Sequence, residues 1–239
     1  MIHVAHIATG RWRVRVDDSY APLSRFRWER YGASKSGRAT RLEGMADYGM
    51  SGEELEQMYQ EVILEASKAP HGKVDFASGT GSHSTIGVNS LSAGESKLSA
   101  THEYCVPAQS HQFNPTCGDE VTVRVEISDG SDGKPQHIEH LIWDGQGCSI
   151  SQASLSIMVD LVDGKTVDEA MDLFHAFHKL MESRGAGLND EAMEEELGDA
   201  VVFQGVSRYP MRIKCALLGW EGLKDSMAQA LAQMNAKEA

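Results

Sequence analysis

Apolar and polar positions alternate along only a few stretches of this chain, and helical spacing dominates the rest. The clearest alternation is Val121, Val123, Val125 and Ile127, each separated by one polar residue, as in a half-buried strand. A turn-forming stretch, Asp129 to Pro135, follows, and then Ile138, Leu141, Ile142 and Trp143. The pair predicts an antiparallel hairpin. Helical spacing appears first after Ser51, where Ser51-Gly52-Glu53-Glu54 is a capping-box pattern and Leu55, Met58, Tyr59, Val62 and Ile63 follow, with Pro70 as the stop. A second helix is expected near 149–162, with Ile150, Ala153, Ile157 and Leu161 on one face and Gly164 after it. The box Thr166-Val167-Asp168-Glu169 opens a third helix, running to about Arg184, with Val167, Ala170, Met171, Phe174, Phe177 and Met181 as its apolar face. Residues 185–199 read as an acidic connection. The last helix begins near Tyr209-Pro210 and runs to about Met234 on the stripe Ile213, Ala216, Trp220, Leu223, Met227, Leu231 and Met234. Strands followed by helices, rather than alternating with them, predict an α+β fold: a small antiparallel β-sheet with several α-helices on one face. Trp143 and Trp220 belong to its core.

Two segments break this pattern. Residues 77–101 are rich in Ser and Gly and read as a long loop. Residues 1–50 have no helical stripe, only one alternating run, Arg11-Trp12-Arg13-Val14-Arg15-Val16, which fits a short strand. Charge separates the same region from the remainder. The 239 residues carry 22 Lys/Arg against 35 Asp/Glu, a net −13. The first fifty hold nine basic and five acidic residues, +4, which leaves −17 for the rest. We therefore expect a basic, poorly ordered extension over 1–50, with Met45 or Met50 as a natural start, and one domain over 51–239. An acidic surface argues against general nucleic-acid binding. No apolar run approaches the ~18 residues that cross a bilayer, and there is no apolar leader, so the expectation is a cytoplasmic protein with reduced thiols.

That turns attention to the four cysteines. Cys117 lies in Asn114-Pro115-Thr116-Cys117-Gly118-Asp119, a loop tip. Cys148 lies in Asp144-Gly145-Gln146-Gly147-Cys148-Ser149, between a strand and a helix start, where a helix N-terminus favours a thiolate. Cys215 lies near the start of the last helix, about 120° from its apolar stripe by helical geometry, and Gly219 and Gly222 near it leave room for another element. Asp119 can reach the same point as Cys117. Three thiolates and a carboxylate suit zinc; with sulfide they also suit iron; and cysteines are often small buried hydrophobes. Cys105 stands outside these motifs and reads as incidental. His175 and His178 are a possible metal pair, with His178 expected to be packed. Glu194-Glu195-Glu196 reads as a solvated face. Arg212 and Lys214 either offset the charge of the cysteine site or are solvated.

The three motifs, Asn114-Pro115-Thr116-Cys117-Gly118-Asp119, Gly145-Gln146-Gly147-Cys148-Ser149-Ile150-Ser151 and Arg212-Ile213-Lys214-Cys215-Ala216-Leu217, together resemble the NifU/IscU-like iron–sulfur assembly family over about 51–234. Lys214 stands where scaffold-type members have a His before the third Cys, and 185–199 looks like an insertion of the SufU branch. Ala69-Pro70-His71-Gly72 departs from the family's usual stretch after the first helix. The resemblance implies the SufE/NifU-like fold and a zinc site made by Cys117, Asp119, Cys148 and Cys215. It implies a sulfurtransferase-like role in which Cys117 accepts persulfide sulfur from a SufS-type cysteine desulfurase and passes it to a SUF scaffold or apo-proteins. The alternatives are a scaffold that assembles a labile Fe–S cluster on the same residues, and a structural zinc domain.

Overall fold

The computed structural model describes residues 3–7, 11–15, 52–76, 80–81, 100, 102–131 and 133–238. The chain divides into two compact units, residues 1–39 and 40–239. In the first, β1 (His3–Ile7) pairs antiparallel with β2 (Arg11–Arg15), His3 opposite Arg15. The alternating run is thus a strand over Arg11–Arg15, and its partner His3–Ile7 had no signal of its own. The rest of the expected N-terminal extension, the start of the Ser51 capping box and most of the 77–101 loop lie outside the described residues.

The second unit is α+β. Helix α1 (Gly52–Lys68) is followed by two short strands, β3 (Val74–Asp75) and β4 (Thr80–Gly81). Then come β5 (Cys105–Asn114), β6 (Asp119–Ser128) and β7 (Ile138–Gln146), an antiparallel meander in that spatial order. Val121, Val123, Val125 and Ile127 are all buried, as their alternation predicts. Four helices follow: α2 (Ser149–Val162), α3 (Val167–Glu182), the short α4 (Glu191–Leu197) and α5 (Pro210–Glu238). Helix α5 lies across β5 and β6, and α2 packs against α1, α5 and β7.

Helix α2 is buried on more than the one face expected of it. Leu155, Met158 and Val159 are as enclosed as Ala153 and Ile157, and so are Ser151, Ser154 and Ser156. It is the central helix, surrounded by neighbours, so apolar residues and serines are buried around it rather than along a single stripe. The hydroxyls have partners: Ser154 Oγ donates to Ala216 O at 2.6 Å and accepts from Trp220 Nε1 at 3.2 Å. Trp220 stacks on Phe177, ring centroids 4.7 Å apart, and joins α5 to α3.

The acidic segment 185–199 is not a plain connection. Asp190 caps α4, accepting from Met193 N at 3.2 Å, and the chain continues into 3-10 turns over Gly198–Gln204 and Val206–Arg208. Leu197, Ala200, Val201, Val202, Phe203 and Val206 are buried. Glu194 is not merely solvated, since its Oε1 accepts from Leu188 N at 3.0 Å. The capping box at Thr166 forms as its sequence predicts, with Glu169 N donating to Thr166 Oγ1 at 3.2 Å and Thr166 N donating to Glu169 Oε2 at 2.9 Å. Thr166→Ala should lower stability by about 1 kcal/mol in urea denaturation, because it removes an N-cap acceptor. Among the described residues no helix is long and apolar enough to cross a membrane.

Candidate metal centre

Three joints of the fold bring the site together. The first is the β5–β6 turn. Cys117 N and Gly118 N both donate to Asn114 O, at 3.3 and 2.9 Å, and Asn114 Oδ1 accepts from Thr116 N at 3.1 Å. This Asx-type turn, closed by Gly118 at φ 75°, leaves Cys117 exposed at its tip. Asp119 opens β6 directly opposite Asn114, and is only 3% exposed.

The second joint is the passage from β7 into α2. Gly145 sits opposite Val121 with φ 145°, and a Cβ there would come within 2.8 Å of the Val121 Cα. Only glycine lets the two strands meet at this end. Cys148 is the N-cap of α2, half-buried, and its backbone N–H donates to Asp119 Oδ1 at 3.0 Å. The carboxylate therefore fixes the position of the second cysteine.

The third joint is the second turn of α5. Cys215 is 2% exposed, and its Sγ lies 3.4 Å from Cys117 Sγ. Asn114 Nδ2 donates to the Cys215 sulfur at 3.9 Å, and the Cys215 thiol is 3.8 Å from Met211 O. The glycines on this side of α5 have the expected role. A Cβ on Gly219 would press within 2.8 Å of Leu155 Cγ, and one on Gly222 within 2.8 Å of Val123 Cγ2. Their absence of side chain lets α5 approach both α2 and the sheet.

The result is a convergent donor set. Ligand atoms of Cys117, Asp119 and Cys215 all lie within 4.8 Å of one another. The Cys148 sulfur is not inside that group, but it is near enough to act on the ionisation of both Asp119 and Cys215. Burial pushes the Asp119 carboxyl up; Cys117, the Cys148 backbone and side chain and Ser151 together outweigh it and hold the group below the usual carboxylate value. None of these side chains is aligned to donate to Asp119 Oδ2, which is buried with no hydrogen-bond partner. Burial also pushes the Cys215 thiol up, and Cys117, Cys148 and Asp119 push it further.

An orphaned buried carboxylate oxygen beside crowded thiols is costly in an uncharged pocket. A thiophilic divalent cation would satisfy it and reverse the penalty on the thiols. The donor set fits zinc, which takes sulfur and carboxylate ligands in one site.

Several contributors had no chemical role in the sequence reading: Asn114, Gly147, Ser151 and the Met211 carbonyl. An Asn immediately before Pro in a turn-forming run was the available signal for the first. Gly147 matters because a Cβ there would lie 3.0 Å from Asp119 Cγ and collide with Ser151 Oγ. Gly147→Ala should displace the carboxylate and weaken metal binding by roughly 10- to 100-fold with the fold kept, as for other positions that orient a ligand. Competition with a zinc chelator checks this.

Other candidates fall away from the site. Cys105 is 4% exposed, at the start of β5. Arg212 and Lys214 are exposed. His175 is exposed, and His178 is half-exposed rather than packed, paired with Glu182 at 3.2 Å one helical turn on. Neither belongs to a convergent set of three donors among the described residues.

The model of the NifU-like N terminal domain family matches residues 95–216, just over half of the chain. The chain is 36% identical over 130 residues to the iron–sulfur cluster assembly scaffold protein IscU of Streptococcus pyogenes serotype M1, covering 52% of this chain and 75% of that protein. It is also 36% identical over 116 residues to the zinc-dependent sulfurtransferase SufU of Bacillus subtilis (strain 168), covering 48% of this chain and 71% of that one. Among solved structures, the N-terminal part of a nitrogen-fixing NifU-like protein from Brucella abortus covers 77% of this chain and 98% of its own at a TM-score of 0.48 and 20% identity. On the family match and these relatives, the chain belongs to the NifU-like N-terminal domain family of iron–sulfur cluster assembly proteins.

Proposed function

We propose that this protein is a zinc-dependent acceptor of persulfide sulfur from a SufS-type cysteine desulfurase, handing the sulfur on to a SUF scaffold or apo-proteins in the cytoplasm. The observation that carries the reading is the asymmetry of the site. One thiol, Cys117, is exposed on a turn, while Cys215 and Asp119 are buried behind it and Cys148 is half-buried. A carrier needs one reactive sulfur that a partner can reach and a fixed base that it returns to. Similarity to the zinc-dependent SufU relative supports the same reading, and so does Lys214, which stands in the place of the His of scaffold-type members.

Cys117, Asp119, Cys148 and Cys215 would hold the ion. Bound zinc would supply the charge that keeps these thiols deprotonated at neutral pH. The chain's own residues do the rest. Asn114 holds the turn and donates to the Cys215 sulfur, which keeps Cys215 in place while Cys117 is engaged elsewhere. Asp119 stays anchored by the Cys148 N–H. The Cys117 thiolate attacks the outer sulfur of the donor's persulfide. A new S–S bond forms at Cys117, the donor's S–S bond breaks, and the donor cysteine leaves as a thiolate, so no external oxidant or reductant is needed. Phe113 and Met211, both large and exposed, are the neighbours of Asn114 and Arg212 in the chain and flank this mouth in sequence. They suit a protein partner.

The test is incubation with the desulfurase and cysteine, followed by mass spectrometry of the alkylated peptides. The reading expects one additional sulfur on the peptide holding Cys117. A sulfur load found only on Cys148, Cys215 or Cys105 would overturn it.

A further inference from the structure

We infer that His102, Glu139 and His140 form a second divalent-metal site, at the end of the sheet remote from the candidate metal centre. One ring nitrogen from each histidine and a carboxylate oxygen of Glu139 all lie within 4.8 Å of one another. Two imidazoles and one carboxylate on one side of an ion are a recurrent donor set for zinc and iron(II), with further positions left open to water or a second ligand.

The strand is built to present this set. Adjacent residues of a strand point to opposite faces, so Glu139 and His140 should diverge. They do not, because the ladder slips here: His140 pairs with Glu126, while the next pair is Ile138 with Ile127. Glu139 is the extra residue of a bulge, a device that re-aims a side chain. The burial agrees. Ile138 and Leu141 fill the core on either side, while Glu139 and His140 are both only half-buried. Without the bulge Glu139 would take the inward place that Ile138 holds.

Neighbours also position His102 and Glu139. His102 sits in the turn before β5, where its carbonyl accepts from Cys105 N at 3.1 Å. Its ring stacks on Tyr104, centroids 5.1 Å apart and planes within 1°. Glu139 Oε2 accepts from His137 Nε2 at 2.9 Å, and His137 Nδ1 lies 2.9 Å from Pro135 O. A ligand carboxylate steered by a hydrogen bond from a largely buried neighbour is how metal ligands are oriented. Glu126, opposite His140, adds a second carboxylate in the same part of the sheet.

This site shares no residue with the cysteine cluster. Asp119 and Glu126 stand seven positions apart along β6, about 23 Å at the rise of a strand. Three neutral-or-oxygen donors hold an ion less tightly than a thiolate set, so this ion should exchange readily and be lost on gel filtration.

Calorimetric titration of Zn2+ into the full-length protein, as purified and gel-filtered, tests the site independently of sulfur transfer. One binding event should be present in the native protein. It should weaken more than tenfold in His140→Ala, Glu139→Gln and His102→Ala, and roughly tenfold in His137→Ala, with metal retained at the cysteines. His102 is exposed, so its removal does not threaten the fold. No such event in the native protein, or an event unchanged by all four substitutions, would overturn the inference.

Discussion

Cys117→Ala should receive no detectable sulfur from the desulfurase, the largest functional effect expected of any single substitution here. The reason is access. Persulfide transfer requires the acceptor sulfur to reach a sulfur on another protein. Cys117 is exposed at a turn, Cys215 is 2% exposed beneath it, and Cys148 sits at a helix start with its N–H tied to Asp119. Burial, with Cys117, Cys148 and Asp119 beside it, keeps the Cys215 thiol protonated more strongly than usual, which makes it a poor nucleophile as well as a hidden one. Cys105→Ala is the matched control. It removes a buried thiol at the opposite end of β5 from the site and should leave transfer intact. The measurement is labelled sulfur retained on each variant after single-turnover mixing. Full transfer to Cys117→Ala would remove Cys117 from the mechanism.

Trp220→Ala should destabilise the protein by about 3–5 kcal/mol, the cost of deleting a large buried aromatic. That is a large part of the ~5–15 kcal/mol that holds a domain together. Three contributions coincide at this side chain. It is 1% exposed, it stacks on Phe177, and its Nε1 donates to Ser154 Oγ. Ser154 in turn donates to Ala216 O, next to Cys215, so the tryptophan also fixes where the third cysteine stands. Trp220→Phe should cost less, since it keeps most of the packing but leaves the serine short of one donor. Urea denaturation followed by circular dichroism gives both values. A loss under about 1 kcal/mol for Trp220→Ala would mean the site is not braced through this helix.

Much of this arrangement was readable before any coordinates. The period-2 run Val121–Ile127, the Thr166 capping box and the stripe of the last helix each combine a pattern with a start or stop signal, and each is where it was expected. The three cysteine motifs were legible because turn residues surround them. What was missed has physical reasons. Strand β5 was given no range, because Pro107 and several polar residues interrupt its pattern; as the sheet's edge strand it tolerates a residue with no N–H. Helix α4 is seven residues long, too short for a periodic stripe, and its acids look like a solvated loop until Glu194 is seen capping the Leu188 amide. The burial of α2 on nearly every side depends on three neighbours that only tertiary structure supplies. The bulge at Glu139 leaves no mark in a sequence at all. And the Cys148 sulfur, equal to the others in its motif, stands outside the tightest donor group, although its backbone N–H and its side chain both act on Asp119.

The ion that the cysteines hold decides between a sulfur carrier and a cluster scaffold. The direct measurement is the metal and acid-labile sulfide content of protein purified under anaerobic conditions and passed through gel filtration. A sulfur carrier of this design should retain about one tightly bound zinc and no acid-labile sulfide, and should be colourless. Iron with matching sulfide, and the brown colour of a cluster, would contradict it and make the protein a scaffold built on the same four residues.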